Sequence, residues 1–398
     1  MSVKVLEELN LPLAAQEEWS YNWDLSQACY PEDGPFFLKE RFLEDVAYTG
    51  GLRKEAQPAF FASGAQIRSS EQLSRLAWHC HWLAHVAPPE LRGKASPWSS
   101  AAGEARIPAG NTFFMAIVAM SALPRIRAFY HEHGIPESIL RASALALDIW
   151  AENFFEKHGV WGCDHAPWIC QHTVPTLFRL ERLEFQFGEY KSPFKVFRCK
   201  TTGKVAIMAP EGLGATADGF FTQKGEEPAF TTTLEMNETE AKGFIATDDG
   251  HLAGAPVALP LVEWEQIFHE GDKMINIHIP ACAPLDYEAC KAGIKMARDF
   301  FPRYFPAFDF KGFQCGSWLL DISLKDSLPP TANIPQFQTL FNLYPAVNGN
   351  DWQIRERVFG NPDLPIEQVP QKTSLQRIVK QRIMDGHKYR SGACFLPR

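Results

Sequence analysis

The spacing of apolar residues is typical of α-helices up to about position 170 and typical of β-strands after it. In the first part, apolar side chains recur at intervals of three and four residues, which places them on one side of a helix. Three helices are predicted there, over 71–86, from a cap at Asn111 or Thr112 to Pro124, and from Pro136 to Gly159. We therefore expect a mainly helical domain of residues 1–170.

Beyond residue 170, short β-type runs are separated by Gly, Pro, Ser and Thr. Strands are predicted over 177–187, 195–199, 205–208, 274–279 and 313–320, and helices over 286–304, 334–343 and 373–386. Thr373 with Gln376 forms a capping box for the last helix. Because strands and helices alternate, residues 171–398 predict an α/β-type mixed sheet with helices packed on it. The predicted fold class is α+β, with a helical domain in front of a sheet domain.

The clearest predicted strand, Met274–Ile279, carries two polar side chains on one face. Alternation sends its isoleucines to one side and puts Asn276 and His278 together on the other. Pro280 then ends the strand, because proline has no N–H to donate. The sequence thus places a polar pair at the carboxyl end of an otherwise apolar strand.

The loop after this strand is rich in small residues and leads into a helix that Asp286 is placed to cap. A helix start offers N–H groups without intrahelical partners and the positive end of the helix dipole, so it suits a pyrophosphate. The same loop also fits a plain structural turn. The sequence alone leaves both interpretations open.

Composition narrows the class of protein. The chain has 398 residues, of which 30 are Phe and 11 are Trp, so it can bury a large core and is not disordered. Its net charge of −8 argues against a broad nucleic-acid surface. The longest apolar run, Phe113–Leu123, is too short to cross a bilayer, and Met1–Leu13 lacks the basic start of a signal peptide. The nine irregularly spaced cysteines indicate a reduced, cytoplasmic protein.

Several segments between about residues 40 and 395 resemble a bacterial family of predicted acyltransferases. Members of that family join a helical N-acyltransferase-type N-terminal domain to a GNAT-like C-terminal domain. The segments are Ile135-Pro136 with Asp148 and Ile149, Leu177-Phe178-Arg179-Leu180 with Arg182-Leu183 and Phe185, Gly271-Asp272 with Ile275-Asn276-Ile277-His278-Ile279-Pro280, Cys315-Gly316-Ser317-Trp318-Leu319-Leu320-Asp321, and Asn333-Ile334 with Phe337 and Phe341.

The resemblance implies transfer of an acyl group from acyl-CoA, as co-substrate, to an amine. In the GNAT superfamily one strand splays from its neighbour to admit the thioester, and the next helix takes the pyrophosphate on its amides. Met274–Ile279 would be that strand. CoA would then contact Ile279, Ala281, Cys282, Ala283 and Asp286. The superfamily loop [QR]-x-x-G-x-[GA] is not reproduced, since no glycine or basic residue occurs in 281–289. Asp286 would repel a pyrophosphate unless its carboxylate turns away to cap the helix.

Direct transfer to an amine needs a base for the amine and an acid for the leaving thiolate. His278 is the candidate base, with Asn276 beside it, although a strand-end hydrogen bond explains a histidine there equally well. A neutral His278 would make activity rise with pH through its pKa. Ser317 is the candidate acid or a buried structural serine. Cys315 is either a nucleophile that carries the acyl group or a small buried hydrophobe.

Two groups of histidines and cysteines have some of the character of metal sites. They are His79, Cys80, His81 and His85, and Cys163, His165, Cys170 and His172. His81 and His85 have the i, i+4 spacing of a zinc pair, but the sequence lacks the glutamate of the H-E-x-x-H pattern. The second group matches no zinc-finger spacing. We therefore expect no metal.

The sequence and its family resemblance favour a cytoplasmic acyl-CoA-dependent N-acyltransferase with a small-molecule amine acceptor. No nucleic-acid or membrane partner and no tightly bound cofactor are expected, and the oligomeric state is open. The competing hypothesis is a non-catalytic GNAT-like protein that has lost its phosphate loop and binds a ligand or partner. Thioester hydrolysis through Cys315 is a third hypothesis.

Overall fold

The structure is a computed structural model that describes residues 2–92, 108–347 and 349–398. The chain divides into two compact units, Met1–Leu180 and Glu181–Arg398. The predicted domain boundary at residue 170 stays a prediction. None of the described helices is long and apolar enough to cross a membrane.

The first unit is mainly helical, as predicted. Its helices are α1 Ser2–Glu8, α2 Leu13–Ser20, α3 Trp23–Ala28, α4 Glu40–Thr49, α5 Gln57–Ser69, α6 Glu71–His81, α7 Pro89–Arg92, α8 Phe114–Met120, α9 Leu123–Glu132, α10 Glu137–Ala144, α11 Ala146–His158 and α12 Ala166–Thr173. A π-helix, Trp82–Val86, continues α6, 3-10 turns cover Phe36–Leu38 and Pro108–Gly110, and strand β1 is Leu177–Leu180. All seven residues of α8 are buried, which explains why its sequence is apolar on every side.

Three details of this unit differ from the sequence prediction. Pro124 lies in the first turn of α9 and does not end α8, because the first turn of a helix needs no N–H from that position. Neither predicted cap binds α8: the side chain of Asn111 donates to the carbonyl oxygen of Ser63. The helix predicted from Pro136 is divided at Leu145 into α10 and α11.

The second unit contains a mixed sheet and smaller antiparallel sheets. Its strands are β2 Leu183–Glu189, β3 Lys195–Cys199, β4 Val205–Met208, β5 Gly214–Ala215, β6 Phe230–Thr231, β7 Leu234–Met236, β8 Glu240–Gly243, β9 Val257–Pro260, β10 Trp264–Gln266, β11 Lys273–His278, β12 Gly312–Ser317, β13 Asn342–Pro345 and β14 Gly392–Pro397. Its helices are α13 Tyr287–Tyr304, α14 Ser323–Ser327, α15 Asn333–Gln338, α16 Trp352–Phe359 and α17 Ser374–Met384, with 3-10 turns at Trp318–Leu320 and Ile366–Gln368.

The main sheet runs in the order β2-β11-β12-β14-β13 within this unit. The β11–β12 pair is parallel and the other pairs are antiparallel, so the sheet is mixed, as predicted. Helix α13 lies between β11 and β12 in the chain, as the connection of a parallel pair requires. The predicted α+β fold class, a helical region followed by a mixed-sheet domain, is confirmed.

Predicted element boundaries failed where the chain turns without Gly or Pro. The run 177–187 is two strands, separated by a turn at Glu181, whose φ is +54°. The run 313–320 is a strand followed by a 3-10 turn, and the helix predicted over 334–343 ends at Gln338, before β13. The capping box of Thr373 and Gln376 is present as predicted.

One face of the main sheet packs on α13 through aromatic rings. Phe187 of β2 lies 5.3 Å from Phe301 of α13 and 5.0 Å from Phe305, between ring centroids. The residues that α13 buries include Ile294 and Ala297, on the helix face that the sequence pattern predicted. The opposite sheet face packs on the small sheet β10-β3-β4 around Met274. The start of β11 is therefore enclosed on both sides.

Strand β14 requires glycine at position 392. A Cβ atom there would lie 1.8 Å from the carbonyl oxygen of Leu320, a backbone atom that cannot move aside. We predict that Gly392→Ala lowers the free energy of unfolding by about 2–3 kcal/mol or more, as overpacking does. Gly316→Ala, on the neighbouring strand, meets no atom within 4 Å and is the matched control. Equal urea midpoints for the two variants would contradict the prediction.

Candidate functional site

Strands β11 and β12 separate toward their carboxyl ends. Their parallel pairing joins Met274 to Gly312, Ile275 to Phe313 and Asn276 to Gln314. Beyond that point β11 remains paired with β2 through His278, while β12 pairs with β14 through Ser317. The two strands therefore open into a gap after Asn276, which is the splaying that the family resemblance implied.

The gap forms an open cleft of about 290 Å³. Its lining residues are Asn276, Ile277, His278, Gln314, Cys315, Gly316, Tyr344 and Ala393. None of these described residues has a side chain that is charged at neutral pH when His278 is neutral. A ligand in this cleft would therefore be recognised through hydrogen bonds and shape.

A row of amide side chains crosses three strands beside the cleft. Gln186, Asn276 and Gln314 are register partners on β2, β11 and β12, so they share one sheet face. The Oδ1 atom of Asn276 accepts a hydrogen bond of 2.7 Å from Nε2 of Gln314. Gly188 makes room for this contact, since a Cβ at that position would lie 2.6 Å from Nδ2 of Asn276. Asn276 is therefore held by Gln314 on one side and accommodated by Gly188 on the other.

His278 continues the row on the same sheet face. Its Nε2 atom lies 2.9 Å from Oε1 of Gln186, and a ring N–H donating to that oxygen leaves Nδ1 unprotonated. Burial lowers the pKa of His278 to about 4, because the charged ring loses hydration there. The imidazole is therefore neutral at physiological pH. This is the protonation state that a base requires.

Ser317 and Cys315 lie on the opposite face of the sheet from His278, by alternation along β12. Oγ of Ser317 accepts the backbone N–H of Leu319 at 3.2 Å and caps the 3-10 turn that follows. Cys315 faces Cys394 across the strand pair. Burial and hydrogen bonding with Cys315 raise the pKa of Cys394 well above its usual value. The structure thus separates these two candidates from the polar row.

The loop that leads from Ile279 to α13 is exposed at Ala281, Cys282 and Ala283. The carboxylate of Asp286 accepts the N–H of Ala289 at 2.8 Å. Asp286 therefore caps the helix, as the sequence predicted. Its carboxylate uses one of the amides at the helix start that an anion would otherwise bind.

A buried arginine that the sequence analysis did not single out for the site holds this loop. Arg182 donates from Nε to the carbonyl oxygen of Pro284 at 3.0 Å and from Nη2 to that of Ala283 at 2.7 Å. Burial raises the pKa of Cys290, in the first turn of α13, to about 11, and the nearby Arg182 opposes that rise. The positive charge of Arg182 thus acts on the start of the helix. No local pattern could reveal this, because Arg182 and Pro284 are 102 positions apart.

The histidines and cysteines of the first unit form no metal-ligand cluster within the described residues. Nδ1 of His81 lies 2.6 Å from Oγ of Ser121, and Nδ1 of His79 lies 2.7 Å from Oγ of Ser26. Burial lowers the pKa of both rings to about 3. These two histidines are neutral core residues that bond to hydroxyl groups.

Two family models match the chain. The model described as GNAT-like C-terminal domain matches residues 177–396, and the model described as N-acyltransferase N-terminal domain matches residues 41–174. These matches agree with the family predicted from the sequence. A search of the curated proteins found no match.

Solved structures of acyltransferases share the fold. An acyltransferase in complex with decanoyl-CoA and teicoplanin is 19% identical, with a TM-score of 0.66, over 100% of this chain and 99% of that chain. A mutant acyltransferase in complex with octanoyl-CoA is 18% identical, with a TM-score of 0.66 and the same coverage. At such low identity, the likeness establishes the fold alone.

The lowered pKa of His278 predicts how the protein responds to acid. In the unfolded chain a histidine titrates near 6.5, and in the folded chain His278 titrates near 4, so between these values the unfolded state binds more protons. Folding stability from His278 is therefore present above pH 6.5 and is lost as the pH falls toward 4. We expect His278→Gln to lose less stability than wild type between pH 7 and pH 4.5.

Urea unfolding at each pH measures this difference directly. The exposed His131, replaced by Gln, is the control for removal of a histidine in general. The other buried histidines are present in all three proteins and cancel. Parallel stability–pH curves for wild type and His278→Gln would contradict the buried, neutral state of His278.

Proposed function

The chain belongs to the family of the GNAT-like C-terminal domain, here preceded by an N-acyltransferase N-terminal domain, and we propose that it transfers an acyl group from a CoA thioester to the amine of a small molecule. It is an acyltransferase by family. The proposal concerns where the donor lies, which residues act and what class of acceptor is used.

The separation of β11 from β12 is the observation that carries the proposal. A thioester bound in this gap lies between two strand edges that do not pair with each other. The backbone of Ile277 and His278 flanks it on one side, and the backbone of Cys315 flanks it on the other. The start of α13 follows the same strand, so the phosphates of CoA lie against the residues Ile279, Ala281, Cys282, Ala283 and Asp286. An extended ligand can bond to backbone groups there that the sheet leaves unpaired.

The acyl-CoA complexes of the structural neighbours support this choice of donor. Those proteins were crystallised with decanoyl-CoA and octanoyl-CoA, and one also holds teicoplanin. We propose a small-molecule amine acceptor for this chain on the same basis. The described lining of the cleft is uncharged apart from any protonation of His278, which suits an acceptor recognised through hydrogen bonds.

In the proposed reaction the amine nitrogen attacks the thioester carbonyl carbon and the carbon–sulfur bond breaks. The amine loses a proton and the departing thiolate gains one, so the products are an amide and CoA. His278, neutral and bonded to Gln186, takes the proton from nitrogen, and Asn276 orients the acceptor. Ser317 lies on the opposite sheet face, where its oxygen accepts the N–H of Leu319, so the departing thiolate takes its proton from solvent water.

A non-catalytic binding protein is the second candidate function. The absence of glycine and basic residues in 281–289, together with the capping carboxylate of Asp286, favours it. A protein of this kind would keep the cleft and bind neither CoA nor its thioesters at the start of α13. Thioester hydrolysis through Cys315 has less support, because this side chain lies on the other sheet face, opposite its strand partner Cys394.

Binding of CoA decides between these two functions. A ligand that binds only the folded state at a hundredfold excess over Kd adds about 2.7 kcal/mol to stability. We therefore expect CoA, acetyl-CoA and longer acyl-CoAs to raise Tm and to protect the amides of 281–289 from hydrogen exchange. Adenosine, which lacks the diphosphate, is the control for binding of the adenine moiety alone. If millimolar CoA gives neither a Tm shift nor protection, the non-catalytic function replaces the enzyme.

Loss of His278 tests the proposed base. His278→Ala should lower kcat by about 10²- to 10⁴-fold, the usual contribution of a general base, and leave the Kd for acyl-CoA nearly unchanged. Because its pKa is about 4, the expected rise of activity with pH lies near pH 4, and His278 adds no further rise between pH 6 and 8. Turnover with a panel of amines measures kcat.

Asn276→Ala is the matched comparison, since it removes a polar side chain from the same row without removing a base. It should lower kcat less than His278→Ala does, because orientation is easier to replace than proton transfer. Melting temperatures confirm that both variants fold. Near-normal turnover by a folded His278→Ala would remove His278 from the mechanism.

A further inference from the structure

We propose that Arg182, held against the loop, supplies the positive charge for the diphosphate of the acyl donor that residues 281–289 lack. This inference rests on the proposed function and deepens it by naming a residue outside the loop that favours donor binding. It follows from three observations on the second unit: the hydrogen bonds of Arg182, its uncompensated charge, and the state of the amides at the start of α13.

The guanidinium of Arg182 is held against the loop by two of its nitrogens. Nε and Nη2 are bonded to the carbonyl oxygens of Pro284 and Ala283, at 3.0 and 2.7 Å. Nη1 is buried and has no hydrogen-bond partner among the described residues. The residue is only 8% exposed, so its side chain is fixed by its surroundings. Because Nη1 is closed to solvent, Arg182 acts on a ligand through its positive charge and through the loop that it holds.

The charge of Arg182 has no counterion among the described residues. No carboxylate oxygen there lies within the 4.0 Å of an ion pair from its guanidinium. A buried charge without a counterion is costly, because the two carbonyl hydrogen bonds replace only part of its lost hydration. A bound anion would remove that cost. The site therefore favours a negatively charged ligand in the folded protein.

The start of α13 presents donors to the same ligand. This helix has 18 residues, and Asp286 occupies only the N–H of Ala289. The N–H groups of Tyr287 and Glu288 have no intrahelical acceptor, as in the first turn of any helix. The effect of Arg182 on the pKa of Cys290 places its charge at this first turn. A nearby positive charge and unpaired helix amides both favour a bound phosphate.

The test compares a donor that has a diphosphate with one that lacks it. Acyl-CoA and the corresponding S-acyl-pantetheine carry the same thioester, but the second has no phosphate. Arg182→Gln should raise KM for acyl-CoA about 10-fold or more, as expected for the loss of a positive charge close to the phosphates, and should leave kcat within about twofold. KM for S-acyl-pantetheine should not change. An equal rise for both donors would mean that Arg182 only shapes the loop, and no rise for either would remove it from donor binding.

Arg355 supplies the matched control. Its Nε also donates to a backbone carbonyl, that of Pro362 at 2.8 Å, and its Nη2 to that of Leu364, in a part of the second unit outside the cleft lining. Arg355→Gln therefore measures the loss of two arginine–carbonyl bonds without removing charge from α13. It should leave KM for acyl-CoA unchanged. Arg182→Lys keeps the charge but cannot hold both carbonyl oxygens in the same geometry, so its KM should lie between those of wild type and Arg182→Gln.

Inorganic pyrophosphate tests the anion site without catalysis and without dependence on a variant that folds poorly. In wild type it should protect the amides of Tyr287 and Glu288 from exchange, and pantetheine should not. Wild type that binds pyrophosphate without turnover would count against the proposed function and support the anion site. If wild type binds acyl-CoA, and Arg182→Gln binds pyrophosphate as tightly as wild type does, the inference is overturned while the proposed function stands. If wild type binds neither pyrophosphate nor acyl-CoA, both the inference and the proposed function are overturned.

Discussion

The limited pairing of β11 with β12 is the constraint on which the rest of the site depends. A strand keeps its backbone groups paired only while a neighbour runs beside it, and here the neighbours change after Asn276 and Gln314. Strand β12 continues with β14, and β11 continues with β2, so both strands stay stable while the edge between them opens. The cleft is thus part of the hydrogen-bond pattern of the sheet. A ligand can bond to this edge without disturbing either pair.

The opening is held in shape by what lies on the two faces of the sheet. On one face, the rings of Phe187 and Phe301 pack β2 against α13, which fixes the helix start relative to the strands. On the other face, the contact between Asn276 and Gln314 joins β11 to β12 at the last paired position. The hydrogen bond between these two side-chain amides therefore marks the place where the strands separate. His278, two residues farther along, lies beyond that point, next to the cleft.

The sequence was informative where the determining interactions are local. The cap of α13 at Asp286, the helix face with Ile294 and the capping box of Thr373 all follow from residues within a few turns of one another, and all are present. Turns without Gly or Pro escaped prediction, as at Glu181, where a non-glycine residue adopts a positive φ.

The polar pair on β11 could be predicted by alternation alone. Its partners could not. Those partners come from strand register, which a single sequence does not encode in any local pattern: Gln186 reaches His278 from 92 positions away because β2 and β11 pair antiparallel. A strand shifted by one residue would turn that side chain to the opposite face.

The start of α13 resolves an apparent conflict between stability and anion binding. A carboxylate N-cap such as Asp286 stabilises a helix by about 1 kcal/mol, yet it puts negative charge where a phosphate would lie. Its bond to the N–H of Ala289 directs that carboxylate onto the helix itself, so the charge is partly neutralised by the helix dipole. Arg182, which directly precedes β2, then adds a full positive charge at the same helix turn. The local sequence therefore optimises the helix, and a residue distant in sequence adds positive charge at its start.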